Sequence, residues 1–226
     1  MKRDNPDITP WPCGTRYLSP VLTDGEKMPG TDRCMRQTMA KIQQQTQCPA
    51  APYPVVIAGA FVNGKENYLT IGAYGGMSIN PPVVYISSLK AHYTNAGIRE
   101  TGWFSINVPD AGLVRETDYC GLVSGRKTDK SRVFTAFYGE QKRAPMILEC
   151  PVNAVCRLTQ TVELPGNDVF IGTVEEYYVD EECLLGNSVD PKKTAPLLLY
   201  GRSYRRLGRT AGTAFASGKA FVKKTR

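Results

Sequence analysis

Pro81-Pro82-Val83-Val84-Tyr85-Ile86-Ser87-Ser88 leads through a polar turn at residues 87–95 to Trp103-Phe104-Ser105-Ile106-Asn107-Val108-Pro109, and then to Ser124-Gly125-Arg126-Lys127-Thr128-Asp129-Lys130. The first two segments are β-branched and aromatic runs bounded by proline and polar residues, which predicts strands. Their ends carry hydroxyls, open backbone and one lysine, with no catalytic triad or metal cluster nearby. Hydroxyls, amides and a lysine together suit a phosphate group. The series therefore points to a bound cofactor ahead of side-chain chemistry.

Working outward, Val55 to Phe61 reads as a buried strand, and the Asn63-Gly64 pair after it is a hairpin turn. The returning strand is expected over Asn67 to Tyr74, a third over Val83 to Ser87 and a fourth over Trp103 to Val108. A short helix is expected over Asn95 to Glu100. A second is expected over Ala111 to Gly121, where Leu113, Val114, Thr117 and Cys120 recur at helical spacing. Later strands span Val152 to Val162 and Val169 to Val179, with Asn167 and Asp168 in the turn. Short antiparallel strands with one or two helices describe a mainly β (α+β) barrel, not a βαβ sheet. Residues 1–38 are proline-rich and lack either period, so a poorly ordered extension is expected before a single domain over 39–226. Met39 then reads as an alternative start.

The chain has 226 residues, 42% of them hydrophobic, enough for one packed core. No apolar run approaches the roughly 20 residues of a membrane helix, nor is there a signal-peptide pattern, so a soluble, cytoplasmic protein is expected, with no membrane partner. The net charge is +7, but eight of the 28 basic residues follow residue 200 with no acidic one among them. The first 200 residues are neutral to within one charge, and the basic C-terminal end lacks the aromatic interleaving of a base-stacking surface. No nucleic-acid partner is expected. Seven cysteines without an export signal argue against structural disulfides, and the absence of any CxxC argues against zinc. Cys150 and Cys156 read as small buried residues. A metal site or an imidazole-based nucleophilic site would rest on His92, the single histidine.

Neither GxGxxG nor GxxxxGK[ST] is present, so a nucleotide must be held by groups at strand ends. Asn67 and Thr70 follow one hairpin; Ser87, Ser88, Tyr93, Thr94 and Asn95 surround the next turn. Gly72 and Ala73 are small enough for a planar ring to approach their backbone. Ser124 and Gly125 form a turn able to present amides to an anion, with Lys130 as the cation. Singly, Ser-Gly is a turn, Lys130 a surface lysine and Thr70 a strand former.

The order of these pieces is distinctive. Pro54-Val55-Val56, Asn67-Tyr68-Leu69-Thr70, Ser78-Ile79-Asn80-Pro81-Pro82, Thr94 and Glu100 to Pro109 are followed by Ser124 to Lys130, Glu149-Cys150-Pro151, Leu164 to Gly172 and Tyr204 to Gly208. From about Pro52 to Lys219 the chain resembles the flavin reductase-like, FMN-binding split-barrel family, most closely its flavoredoxin-like branch. The resemblance implies a six-stranded split β-barrel with FMN at a homodimer interface. It places Asn67, Ile71, Gly72 and Ala73 beside the isoalloxazine ring, with Thr70 on the same strand. It places Ser87, Ser88, Leu89 and Thr94 along the ribityl-phosphate arm. Ser124, Gly125 and Lys130 complete the phosphate and ring-edge contacts, and Tyr200 stands against the flavin.

The implied activity is that of an FMN-dependent oxidoreductase moving electrons from a reduced nicotinamide, NAD(P)H, or a protein donor to an acceptor, with no catalytic side chain required. Two departures bear on it. Gly166-Asn167-Asp168 stands where many such reductases have Gly-Asp-His, so Asp168 would add negative charge beside a negatively charged nicotinamide cofactor. Ala73 stands where the branch often has tryptophan, which opens space beside the ring. A non-catalytic FMN electron carrier and a flavin-free binding module are the alternatives.

Overall fold

The computed structural model describes residues 41–219, so the expectation for residues 1–38 lies outside them. The chain divides into residues 1–49, of which the described part is exposed, and the unit from Ala50 onward that carries the fold.

Seven strands form one antiparallel sheet: β1 (Val56–Val62), β2 (Lys65–Ile71), β3 (Tyr74–Ile79), β4 (Pro82–Leu89), β5 (Trp103–Val108), β6 (Val152–Glu163) and β7 (Asn167–Val179). Their order is β2-β1-β5-β6-β7-β4-β3. The first and last of that series, β2 and β3, are joined by only Gly72 and Ala73, so the sheet curls back on itself, as a split barrel does. Helix α1 (Thr94–Thr101) joins β4 to β5, and α2 (Val114–Leu122) follows β5. The mainly β architecture expected from the sequence is the one observed. This sheet has one strand more than expected, because Tyr74–Ile79 forms the edge strand β3 instead of extending β2 as far as Tyr74.

The pleat sorts β1 and β2 into two layers. Val56, Ala58, Ala60, Leu69 and Ile71 face the barrel core with Ile86, Phe104 and Phe170. Ile57 and Tyr68 face the other way, into a second cluster with Cys120 and Cys150. The Asn63-Gly64 turn has φ of 52° and 75°, the backbone of a type I′ hairpin, and it sets the register that pairs Ala60 with Asn67. Helix α1 lies directly on β1: a Cβ on Gly97 would overlap the Phe61 carbonyl. Asn107 fastens the 134–150 segment to the sheet, its Nδ2 donating to the Ile57 carbonyl at 2.9 Å and its Oδ1 accepting from the Ile147 N–H at 3.0 Å. Cys150 and Cys156 are fully buried, and the described cysteines are free thiols.

The basic C-terminal end begins as structure. Ser203–Arg205 pairs with Leu198–Tyr200, which pairs with Tyr53–Pro54, and the Tyr204 hydroxyl donates to Asp118 at 3.0 Å. Among the described residues no helix is long and apolar enough to cross a membrane.

Candidate functional site

The hairpin register puts Asn67 on the core face of β2 at its mouth, where apolar packing ends. It is buried, and Nδ2 donates to Thr94 Oγ1 at 2.6 Å. Thr94 opens α1. The residue before it, Tyr93, supplies no side-chain cap; the N–H groups of Asn95 and Ala96 donate instead to the His92 and Tyr93 carbonyls, each at 3.3 Å, and the positive end of the helix dipole still lies at this corner.

The 124–130 loop closes the same corner. The Ser124 carbonyl accepts from the N–H groups of Lys127 at 3.0 Å and Thr128 at 3.1 Å. This tight turn presses Gly125 against Asn67 and Tyr93. A Cβ at 125 would overlap Asn67 Oδ1 and stand 2.8 Å from Tyr93 Cδ1. Arg126 lies over the Tyr93 ring, 5.8 Å from its centroid.

Lys130 is not the surface lysine its sequence context allows. Its side chain turns under the loop, where Nζ donates to the carbonyls of Tyr68 at 2.8 Å and Cys120 at 2.9 Å. It is 3% exposed, and none of the ion pairs among the described residues includes it. Burial accordingly pushes its pKa down from the usual lysine range. A buried ammonium held by two carbonyls and no carboxylate has one of its three N–H donors to spare and no opposite charge beside it.

Beside it is a cavity of about 400 Å³ between the hairpin tip, Tyr93 and the loop. Its charged lining is Lys65, Arg126, Lys127 and Lys130 against Glu66 and Asp129. Glu66 accepts the Tyr138 hydroxyl at 2.5 Å and Asp129 the Ser131 N–H at 2.9 Å, neutral donors that leave both carboxylates charged, so the four cations of the lining outnumber its acids by two. A buried cation without a carboxylate, a tight glycine turn and a surplus of basic side chains around the cavity are features that suit a phosphate group. The residues therefore fit a phosphate group.

Other candidates are divided by the pleat. Asn67 and Thr70 take opposite faces of β2, and the Thr70 hydroxyl donates to the Thr117 carbonyl of α2. Ile71 is in the core. Ser87 and Ser88 likewise part. Ser88 points inward and is bound by Asn95 and His92. Ser87 points outward, where Asn167 Nδ2 donates to its hydroxyl at 3.1 Å and its N–H donates to the Ala73 carbonyl at 2.8 Å. Gly72 faces Leu199, whose Cδ2 a Cβ would approach to 3.3 Å, closer than ordinary van der Waals contact. Leu89 and Tyr200 are about half exposed. The structure thus gathers Asn67, Gly125 and Lys130 at one cavity, with Thr94 bonded to Asn67 behind its wall; it sets Ala73 beside Ser87, turns the Thr70 hydroxyl to α2, and leaves Ile71 and Ser88 buried outside the lining. Lys65, Arg126 and Asn167 were missing from the candidate residues; Arg126 lay inside the diagnostic loop, while Lys65 had no signal beyond the hairpin itself.

Asp168 does not bring the negative charge expected of it. It sits opposite Ser88 on β7, facing inward. Arg99 Nη2 holds one oxygen at 2.8 Å and Lys90 Nζ the other at 3.4 Å, with Glu163 completing a network of two cations and two carboxylates. Its net charge is zero, and the Asp168 side chain is 4% exposed.

A family model described as a flavin reductase like domain matches residues 49–208. The crystal structure of flavoredoxin from Methanosarcina acetivorans superposes with a TM-score of 0.76 at 43% identity, covering 79% of this chain and 98% of that one. Flavoredoxin of Desulfovibrio vulgaris (Miyazaki F) gives 0.72 at 30% identity, covering 78% and 98%. An FMN-binding protein from Thermus thermophilus shares the fold at a TM-score of 0.66 and 21% identity, covering 79% and 99%. Among curated relatives, uncharacterized proteins of Archaeoglobus fulgidus and Aeropyrum pernix match at 29% identity over 112 residues and 27% over 158, or 49% and 68% of this chain. The chain spans 63% and 60% of their respective lengths. By the family match over most of its length, and by its similarity to both flavoredoxins, this chain belongs to the flavin reductase like domain family.

Proposed function

We propose that this protein binds FMN and works as a flavin-dependent oxidoreductase, taking electrons from a reduced nicotinamide or a protein donor and passing them to an acceptor. Membership of a flavin family supports the cofactor class. The observation that carries the choice of FMN is Lys130, a buried cation without a carboxylate, at the edge of a basic cavity. That corner suits a terminal phosphate dianion.

In this reading Lys130, with the Ser124-Gly125 turn, neutralises the phosphate, and the Asn67–Thr94 pair fixes the wall against which the ligand lies. Gly72 and Ala73, between β2 and β3, let a planar ring approach backbone. The exposed edge there, with Met77, Ile79, Leu89 and Tyr200 open to solvent, suits coverage by a second copy of the chain, and we propose a homodimer that completes the site. FMN when bound supplies the electron chemistry, accepting two electrons and releasing them singly or in pairs. The protein's work is to bind, orient and exclude water. Because the Asp168 network is neutral, it poses no electrostatic barrier to a negatively charged nicotinamide donor.

Anaerobic mixing of the flavin-loaded protein with NADH and NADPH tests the donor. Rapid bleaching with either supports direct nicotinamide oxidation. Bleaching that is slow with both, but fast with a reduced protein donor, restricts the protein to electron carriage.

A further inference from the structure

Arg126 lines the cavity and is fixed from both ends. At its backbone, the N–H donates to Ser124 Oγ at 3.3 Å, within the same turn whose Ser124 carbonyl accepts from Lys127 and Thr128. At its tip, the guanidinium lies over the Tyr93 ring, 5.8 Å from the centroid and inside the roughly 6 Å reach of a cation–π contact. Lys65 and Lys127 line the cavity too and are as exposed as Arg126, but among the described residues neither is held by a ring.

The ring is itself held. Asn63 Nδ2, at the hairpin tip, donates to the Tyr93 hydroxyl at 3.1 Å, and Gly125 lies so near that a Cβ there would stand 2.8 Å from Tyr93 Cδ1. Hairpin, loop and the start of α1 therefore meet at one aromatic side chain. The guanidinium over it keeps its donors: among the described residues no carboxylate pairs with Arg126, and its hydrogen bond to Ser124 comes from the backbone. An arginine ordered by a ring, with its fork of N–H groups unspent, loses less freedom on meeting an oxyanion than a free lysine does.

The charge of the ligand calls for such a group. A phosphate monoester carries about −1.5 to −2 at pH 7, whereas Lys130 brings one positive charge and one spare N–H. We propose that Arg126 is the second phosphate ligand of the cavity, and that Tyr93 is the positioning residue that orders it. This rests on the reading that the cavity takes a phosphate-bearing flavin. Lys130 meets the phosphate from the buried side as a point charge, and Arg126 from the exposed side as a two-pronged donor.

Titration of the full-length protein with FMN and with riboflavin, followed by quenching of flavin fluorescence, tests both roles. The ratio of the two affinities isolates the phosphate, since riboflavin has the ring without it. Arg126→Met is exposed and carries no fold contact beyond the Tyr93 ring, so it is expected to fold, to bind FMN about tenfold more weakly, roughly 1.4 kcal/mol, and to bind riboflavin as the wild type does. Tyr93→Leu removes the ring and is expected to lower the same ratio. Because the ring acts through the guanidinium, the double variant should have the ratio of Arg126→Met alone. An unchanged ratio in Arg126→Met overturns the proposal and leaves the phosphate reading standing, provided Lys130→Met still lowers it. Additive losses of the ratio in the double variant overturn the role of Tyr93. A wild type that binds FMN no more tightly than riboflavin overturns the proposal and the phosphate reading together.

Discussion

Asn67 and Thr94 are joined across the mouth of the barrel, the amide of Asn67 donating to the Thr94 hydroxyl at 2.6 Å with both side chains buried. The bond ties strand β2 to the start of helix α1 and fixes one wall of the cavity. Thr94→Val keeps the shape and removes the acceptor, leaving a buried amide donor unpaired. We expect a loss of about 1–3 kcal/mol in urea denaturation, with weaker FMN binding. Unchanged stability would mean that water or another group takes over the bond.

Gly125 has no room for a side chain, since its Cβ would overlap Asn67 Oδ1 and approach Tyr93 Cδ1 to 2.8 Å. Gly125→Ala must move one of these groups or the loop itself. The expected result is at least a tenfold rise in the Kd for FMN, about 1.4 kcal/mol, measured by fluorescence quenching. Wild-type affinity in this variant would place the ligand away from the loop.

Lys130 separates binding the phosphate from holding the fold. Lys130→Met keeps most of the stem but removes the charge, leaving the Tyr68 and Cys120 carbonyls without their donor. FMN affinity is expected to fall by about 1.5–3 kcal/mol, the worth of a charge-assisted hydrogen bond, while riboflavin affinity stays the same. Equal losses for the two flavins would show that the lysine supports the fold and does not meet the phosphate.

Asp168 is held at 2.8 Å by Arg99 and at 3.4 Å by Lys90. Both cations remain substantially solvated, so removing the carboxylate costs less than breaking a fully buried pair. Asp168→Asn is expected to lower stability by about 1–3 kcal/mol and to leave the rate of nicotinamide oxidation within about twofold, since the net positive charge it leaves is on Lys90 and Arg99, which are solvated and screened. A large rate increase on neutralising Asp168 would show that its charge does reach the donor site.

Strand pattern and order of motifs were enough to reach the fold. Val56–Val62 and Trp103–Val108 are strong β-branched or aromatic runs, and the Asn63-Gly64 pair adopts the positive φ values of its turn. Strand β3 was hidden because Gly75 and Gly76 depress strand propensity and its residues are mostly exposed. The site was legible as a set of segments but not as a set of side-chain directions. Neighbours such as Ser87 and Ser88 point to opposite faces, and motif order says nothing of which one is already taken by Asn95. Asp168 was misjudged for a related reason: Arg99 and Lys90 lie 69 and 78 residues away in sequence, and only the pairing of β7 with β4 brings them together.

The most direct test of flavin binding is the absorption spectrum of the purified protein, before and after incubation with excess FMN and removal of the unbound ligand, followed by chromatography of whatever heat releases. The expected result is a yellow protein with the two bands of oxidised flavin that yields FMN in near-stoichiometric amount. A folded protein that stays colourless after the incubation, with no flavin recovered on heating, would contradict it.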